Sequence, residues 1–131
     1  EINDEAFYQL KKNITSYREI TKSLSRFTLI HGDAAKTILD DTMNKFIFFN
    51  PFHFKVYIKV IDSIMASIKQ KPRKVYVFLF MPHRSTLEYI IRMTDFSILE
   101  LAETKEHYNL LVYAVLTNDN RQAYQNCTAL L

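Results

Sequence analysis

Glycine is almost absent from this sequence, and its scarcity excludes two familiar kinds of nucleotide site. Gly32 is the one glycine in 131 residues. Phosphate-cradling loops of the P-loop and G-x-G-x-x-G kinds need several glycines at fixed spacing, because the backbone must approach the phosphates closely. Neither loop is therefore encoded within this chain.

Cysteine and long apolar runs are scarce as well. Cys127 is the single cysteine, so no internal disulfide can form, and this usage fits a reducing compartment. We interpret Cys127 as a packing residue rather than a nucleophile, since no base is assigned to it. No apolar stretch approaches the length of a membrane span and no signal-peptide pattern is present. We expect a soluble, cytoplasmic protein with no membrane partner.

Basic residues and histidines show no concentrated site. The net charge is +3 and the pI is near 9.0, with Lys and Arg spread along the chain, which permits a nucleic-acid partner but favours an ordinary solvated surface. The histidines fall in separate predicted connections: His31, His53, His83 and His107. None has a partner at metal-ligand spacing, so we expect no metal site.

The most informative stretch is residues 45–54, K-F-I-F-F-N-P-F-H-F. Its uninterrupted apolar run predicts a strand buried on both faces of a parallel sheet. Asn50 is predicted to cap the next helix, with Pro51 in its first turn. That helix has an apolar stripe at helical spacing: Val56, Val60, Ile61, Ile64 and Ile68. A second apolar run at residues 75–80 completes a predicted βαβ unit.

Ligands in such sheets bind beyond the carboxyl ends of the strands, which places residues 50–52 and 81–84 at the predicted ligand edge. A short strand is also predicted at residues 27–30, followed by Asp33 at a helix start. A carboxylate and backbone amides in that position can hydrogen-bond an adenine. The alternative is that Asp33 simply caps a helical turn.

Three further helices are predicted. Asn3 or Asp4 can cap the first, Ser85 can cap a second, and residues 121–131 form a terminal one.

Alternation of apolar and polar residues predicts an antiparallel strand pair near the end of the chain, over residues 96–102 and 110–116. We expect residues 1–131 to form a single α/β domain.

Taken in order, these segments resemble a class I S-adenosylmethionine-dependent methyltransferase from the end of its second strand onward. Glu1 and Ile2 are similar to that strand end, where an acidic residue binds the ribose hydroxyls of the cofactor. Asp33 and Ala34 look like the acidic residue and its neighbour beside the adenine, after the third strand.

The fourth strand of the family is followed by a segment at the methyl-donor site, and Asn50-Pro51-Phe52 is similar to it. The resemblance implies that Asn50 contacts the cofactor, that Asn50 and Phe52 border the methyl and its acceptor, and that His53 or His83 deprotonates an oxygen acceptor. The implied reaction is methyl transfer from S-adenosylmethionine to an unidentified acceptor.

The resemblance also implies a Rossmann-like, mostly parallel sheet with flanking helices and a final antiparallel hairpin. The first strand of the family and its glycine-rich turn have no counterpart in this chain, so we expect an N-terminally incomplete domain that binds the cofactor poorly by itself. Many amino-group methyltransferases carry a second proline beside the position of Pro51. Its absence here counts against methylation of a nucleic-acid base.

Two alternatives stay open. A non-catalytic α/β domain with the methyltransferase fold could serve as a binding or scaffolding subunit. An all-helical partner-binding domain, such as a GTPase-activating module, is disfavoured by the β-branched and aromatic residues at 75–80 and 110–116.

Overall fold

The computed structural model describes residues 3–22, 24, 26–103 and 111–119. The chain divides into two compact units, Glu1–Thr37 and Ile38–Leu131. The predicted terminal helix at residues 121–131 lies outside the described residues.

The first unit is built on helix α1, Asp4–Thr21. The predicted start is confirmed, since the Asn3 side chain accepts a hydrogen bond from the Ala6 N–H at 2.9 Å. Phe7 is the buried residue of α1, and its ring stacks on the His31 ring with centroids 4.4 Å apart.

The predicted strand at residues 27–30 is wrong, because none of these residues pairs as a strand. The segment is held by ring contacts instead. The rings of Phe27 and Tyr17 meet edge to face at 5.8 Å. A 3-10 turn, Ala34–Lys36, follows and is capped by Asp33.

The second unit contains a four-stranded mixed sheet in the order β1-β2-β4-β3. Its strands are β1 Lys45–Phe49, β2 Tyr76–Phe80, β3 Ser97–Glu103 and β4 Leu111–Thr117. The strands β1 and β2 are parallel, whereas β4 runs antiparallel to both β2 and β3.

The predicted parallel pair and antiparallel hairpin are confirmed, but the expectation of a mostly parallel sheet is wrong. One of the three strand pairings is parallel. The reason is the position of β4, which turns back from β3 and enters the sheet beside β2. The architecture is α/β with a mixed sheet.

Helices α2, Phe54–Gln70, and α3, Arg84–Met93, complete the second unit. The largest fully buried apolar side chains come from both layers: Tyr57, Ile61, Ile64, Leu79, Ile90 and Leu116. The prediction that β1 is buried on both faces is wrong. Phe46 and Phe48 are buried, but Ile47 and Phe49 on the opposite face are 70% and 71% exposed. Except for Thr117, the buried residues of the four strands share one face of the sheet. Tyr57 of α2 contacts Phe48 on that face.

The caps predicted for α2 and α3 are wrong. Helix α2 begins after His53 rather than Asn50, and α3 begins after His83, so that Ser85 lies inside the helix. The reason for α2 is the backbone of Asn50, whose φ is 42°. An N-cap residue needs an extended backbone, which a left-handed residue cannot provide.

Candidate functional site

The carboxyl ends of β1 and β2 lie side by side, because the two strands are parallel and Phe49 is aligned with Phe80. Each strand is followed by a non-glycine residue in the left-handed region, Asn50 at φ 42° and Met81 at φ 48°. A proline comes next in both connections. The backbone thus turns sharply at the same point beyond both strands.

The left-handed conformation is tolerated by asparagine but unfavourable for methionine. It costs about 1–2 kcal/mol for an ordinary L-residue. The Met81 N–H donates to the Val112 carbonyl at 2.8 Å, a bond to β4 that helps to hold this backbone. Strained backbone of this kind concentrates at functional sites, so the edge is the best-supported candidate site in the second unit.

Both helices start at this edge without a side-chain cap. His53 and His83 occupy the N-cap positions, and neither side chain makes a capping hydrogen bond. The His53 carbonyl accepts from the N–H groups of Val56 and Tyr57, at 2.9 and 3.2 Å. The backbone N–H groups that begin each helix carry the positive end of its dipole, which faces this edge.

Three aromatic rings lie at the carboxyl end of β1. The Tyr57 ring meets the Phe48 ring at 5.7 Å and the Phe52 ring at 5.3 Å, both edge to face. Phe48 and Phe52 are themselves 6.0 Å apart. Phe52 is half-buried, whereas Tyr57 is 1% exposed.

The Tyr57 hydroxyl is buried and has no hydrogen-bond partner among the described residues. Burial raises its pKa to about 12, because the phenolate would be poorly solvated. The hydroxyl is therefore protonated at neutral pH and able to donate.

Tyr57 was missed from the sequence because the predicted stripe of α2 was placed slightly off its true centre. The buried residues are Tyr57, Val60, Ile61, Ile64 and Ser67. The predicted Val56 and Ile68 are half-buried instead. The sequence contained the pattern that would have identified Tyr57, since position 57 keeps helical spacing with positions 60, 61 and 64.

The structure brings Asn50, Phe52 and His53 together in one connection of the second unit. Asp33 and Ala34 belong to the first unit. Glu1 and Ile2 lie outside the described residues.

Asp33 acts as a cap in the structure, as the simpler interpretation predicted. Its Oδ1 accepts from the Ala35 N–H at 2.9 Å, and its Oδ2 lies 3.9 Å from the Lys36 Nζ. Ala34 is the first residue of the turn that Asp33 caps. The carboxylate is half-buried, and Oδ2 takes no part in the cap.

Over the described part of the chain, no group of three or more His, Cys, Asp or Glu side chains could hold a metal ion. The His31 imidazole lies 3.1 Å from the Asp4 carboxylate within the first unit. His107 and Cys127 are outside the described residues. Among the helices that the structure describes, none combines the length and apolar character needed to span a membrane.

Comparison with known proteins gave no match: no family model, no curated protein and no solved structure is significantly similar to this chain.

Proposed function

We propose that this chain is an S-adenosylmethionine-dependent methyltransferase, which transfers a methyl group from S-adenosylmethionine to an unidentified acceptor. The observation that supports this most is the pair of parallel strands β1 and β2, joined by α2, with the segment Asn50-Pro51-Phe52-His53 directly beyond β1. The helix α3 and the β3/β4 hairpin then follow in the order that the resemblance implies.

Methyl transfer suits a site with few catalytic groups. The acceptor atom forms a bond to the methyl carbon while the bond from carbon to sulfur breaks, and the electron pair stays on sulfur to give S-adenosylhomocysteine. The sulfonium is its own leaving group, so the protein mainly aligns donor and acceptor.

Roles at the β1 connection follow from side-chain chemistry. The Asn50 side-chain oxygen can accept a hydrogen bond from the acceptor or the cofactor, and the Phe52 ring can lie against a flat group. His53 is exposed and its side chain does not cap α2, and in this proposal its imidazole takes a proton from an oxygen acceptor.

On the resemblance alone we propose further cofactor contacts. Glu1, next to Ile2, accepts the ribose hydroxyls, and Asp33, next to Ala34, receives the adenine amino group. Asp33→Ala should then weaken cofactor binding, whereas unchanged affinity would remove Asp33 from the site.

Calorimetric titration of S-adenosylhomocysteine into the full-length gene product tests the function. Asn50→Gly keeps the left-handed backbone and removes the amide, whereas Asn50→Ala removes the amide and strains the backbone. Both should weaken binding about tenfold if the side chain contacts the cofactor, by analogy with the loss of one hydrogen bond. Lys59→Ala on the exposed side of α2 is the control and should leave the affinity unchanged. Absence of binding by the folded wild-type protein would refute the proposal.

The scaffolding alternative is favoured by one specific feature, the exposed apolar face of the sheet. Ile47, Phe49 and Phe80 are 70%, 71% and 39% exposed, and the last two rings stack 6.0 Å apart. Contiguous exposed apolar surface marks interaction sites. No cofactor binding, combined with self-association in sedimentation that Phe49→Lys abolishes, would favour this function.

A further inference from the structure

The two edges of the sheet, β1 and β3, differ in how they are protected against pairing with a further strand. Edge strands present unpaired backbone groups, and proteins commonly block them with charged side chains and bulges. The pairing of β3 with β4 is shifted at two points, and β3 carries Glu100 and Glu103. The pairing of β1 with β2 is regular, and Lys45 is the one charged residue of β1. The edge at β1 is therefore suited to pair with another strand.

The hydrogen bonds of the sheet show which backbone groups of β1 face outward. Successive residues of a strand direct their N–H and C=O groups alternately to the two sides. The Tyr76 N–H donates to the Asn44 carbonyl at 2.9 Å, so the even-numbered residues of β1 face β2. The backbone groups of Lys45, Ile47 and Phe49 therefore point out of the sheet. Ile47 and Phe49 are 70% and 71% exposed, which leaves this edge accessible.

The edge of β1 is complementary to itself. When a two-fold axis passes beside Ile47, two β1 strands run antiparallel, and Ile47 lies opposite Ile47 of the other copy. Lys45 then lies opposite Phe49, so all the outward backbone groups meet in a hydrogen-bonded register. Lys45 meets an exposed ring rather than a second lysine, which is a favourable contact for a cation. Phe46 and Phe48 come opposite each other on the buried face of the sheet.

We infer that two copies of this chain associate through β1, in an antiparallel pair that joins their four-stranded sheets into one continuous sheet. This pairing uses the edge of the sheet and leaves its exposed apolar face open, so it differs from face-to-face packing of two sheets. The inference does not rest on the proposed function, because association and binding of S-adenosylhomocysteine are measured separately and either can fail alone.

Sedimentation equilibrium of the full-length gene product, from about 1 to 100 μM, tests this association. Ile47→Lys places two like charges opposite each other at the two-fold axis. Phe80→Lys is the matched control, because Phe80 is exposed on the same face but lies in β2, away from the edge. We expect a wild-type dimer that Ile47→Lys weakens at least about tenfold and that Phe80→Lys leaves unchanged. Thermal melting checks that both variants fold.

Hydrogen exchange of the β1 amides measures the pairing without any substitution. The amides of Ile47 and Phe49 should exchange at least about tenfold more slowly in the dimer than after dilution to the monomer. The N–H groups of Phe46 and Phe48 face β2, so these amides should exchange slowly at both concentrations. This alternation along β1 is specific to pairing at its edge.

The remaining outcomes overturn the inference. A wild type that is monomeric throughout the concentration range has no such interface, and a protected Ile47 amide in that monomer would show that another segment covers the edge. Loss of association in both lysine variants would assign it to the exposed face of the sheet. Association that survives Ile47→Lys would exclude the β1 edge. If Ile47→Lys does not fold, hydrogen exchange decides, because equal exchange of the Ile47 amide at both concentrations excludes the pairing.

Discussion

The Arg73 side chain makes hydrogen bonds at the C-terminal end of α2. Replacing it should lower the stability of the second unit more than most single changes. Its Nε donates to the Met43 carbonyl at 2.8 Å, and one terminal nitrogen donates to the carbonyls of Ser67 and Lys71 at 3.1 and 3.0 Å. The other terminal nitrogen donates to the Ser67 hydroxyl at 2.9 Å. One guanidinium therefore pairs carbonyls at the helix end with the segment before β1.

The cost of Arg73→Ala follows from these bonds. A charge-assisted hydrogen bond contributes about 1.5–3 kcal/mol when shielded and less when exposed to water. Arg73 is half-buried, and its bonds share one guanidinium, so they are not additive. We expect a loss of about 2–4 kcal/mol in the free energy of unfolding. Arg73→Lys keeps the charge but lacks the planar fork, so roughly half the loss should remain.

Urea unfolding monitored by circular dichroism measures this loss. The chain has no tryptophan, so tyrosine fluorescence serves as the second probe. The midpoint should fall while the slope with urea stays constant, because the change alters stability rather than the unfolded state. Lys59→Ala on the exposed side of α2 is the control and should change stability by no more than about 0.5 kcal/mol. If Arg73→Ala lowers the free energy of unfolding by no more than Lys59→Ala does, the stabilising role of the Arg73 hydrogen bonds is refuted.

Three other changes test separate features. Met81→Gly should raise the free energy of unfolding by about 1 kcal/mol, because glycine adopts the left-handed backbone without strain; a lower melting temperature would show that the methionine side chain stabilises more than the strain costs. Asn118→Asp should lower the free energy of unfolding by about 2–3 kcal/mol. The Asn118 side-chain nitrogen donates to the Arg73 carbonyl at 2.8 Å, and a carboxylate cannot make this bond, although it can still accept from the Val75 N–H. An unchanged urea midpoint would contradict this. The pKa of Tyr57 is raised by burial from 10 to about 12, so the stability it contributes is complete below pH 10 and is lost as the pH rises toward 12. Urea midpoints between pH 9 and 12 should fall less steeply in Tyr57→Phe than in the wild type, and equal slopes would rule out the shift.

Local patterns predicted most of the elements of the second unit. The apolar runs at residues 46–49 and 75–80, and the periodic helix between them, appear as β1, β2 and α2. The parallel pairing followed because a helix of this length between two strands brings the second strand alongside the first in the same direction. The alternating residues near the end of the chain formed the antiparallel pair β3 and β4.

The strand predicted at residues 27–30 failed for a reason that no local pattern contains. A strand needs a partner, and Phe27 in this segment contacts a ring of α1 instead. The predicted cap of α2 failed similarly, since Asn50 is a good cap in isolation. Its left-handed backbone ends β1, and α2 begins three residues later, after His53.

The sequence by itself determined which segments become helices and strands in the second unit, because apolar periodicity is a local property. It also identified the connection after β1, since the polar residue that follows the apolar run is visible in the sequence. Tertiary structure alone decided that β4 lies between β2 and β3, that one face of β1 stays exposed, and that the Tyr57 hydroxyl is buried without a partner. The physical reason is that pairing, burial and hydrogen bonding depend on groups distant in the chain. Each is known only once the elements have packed together.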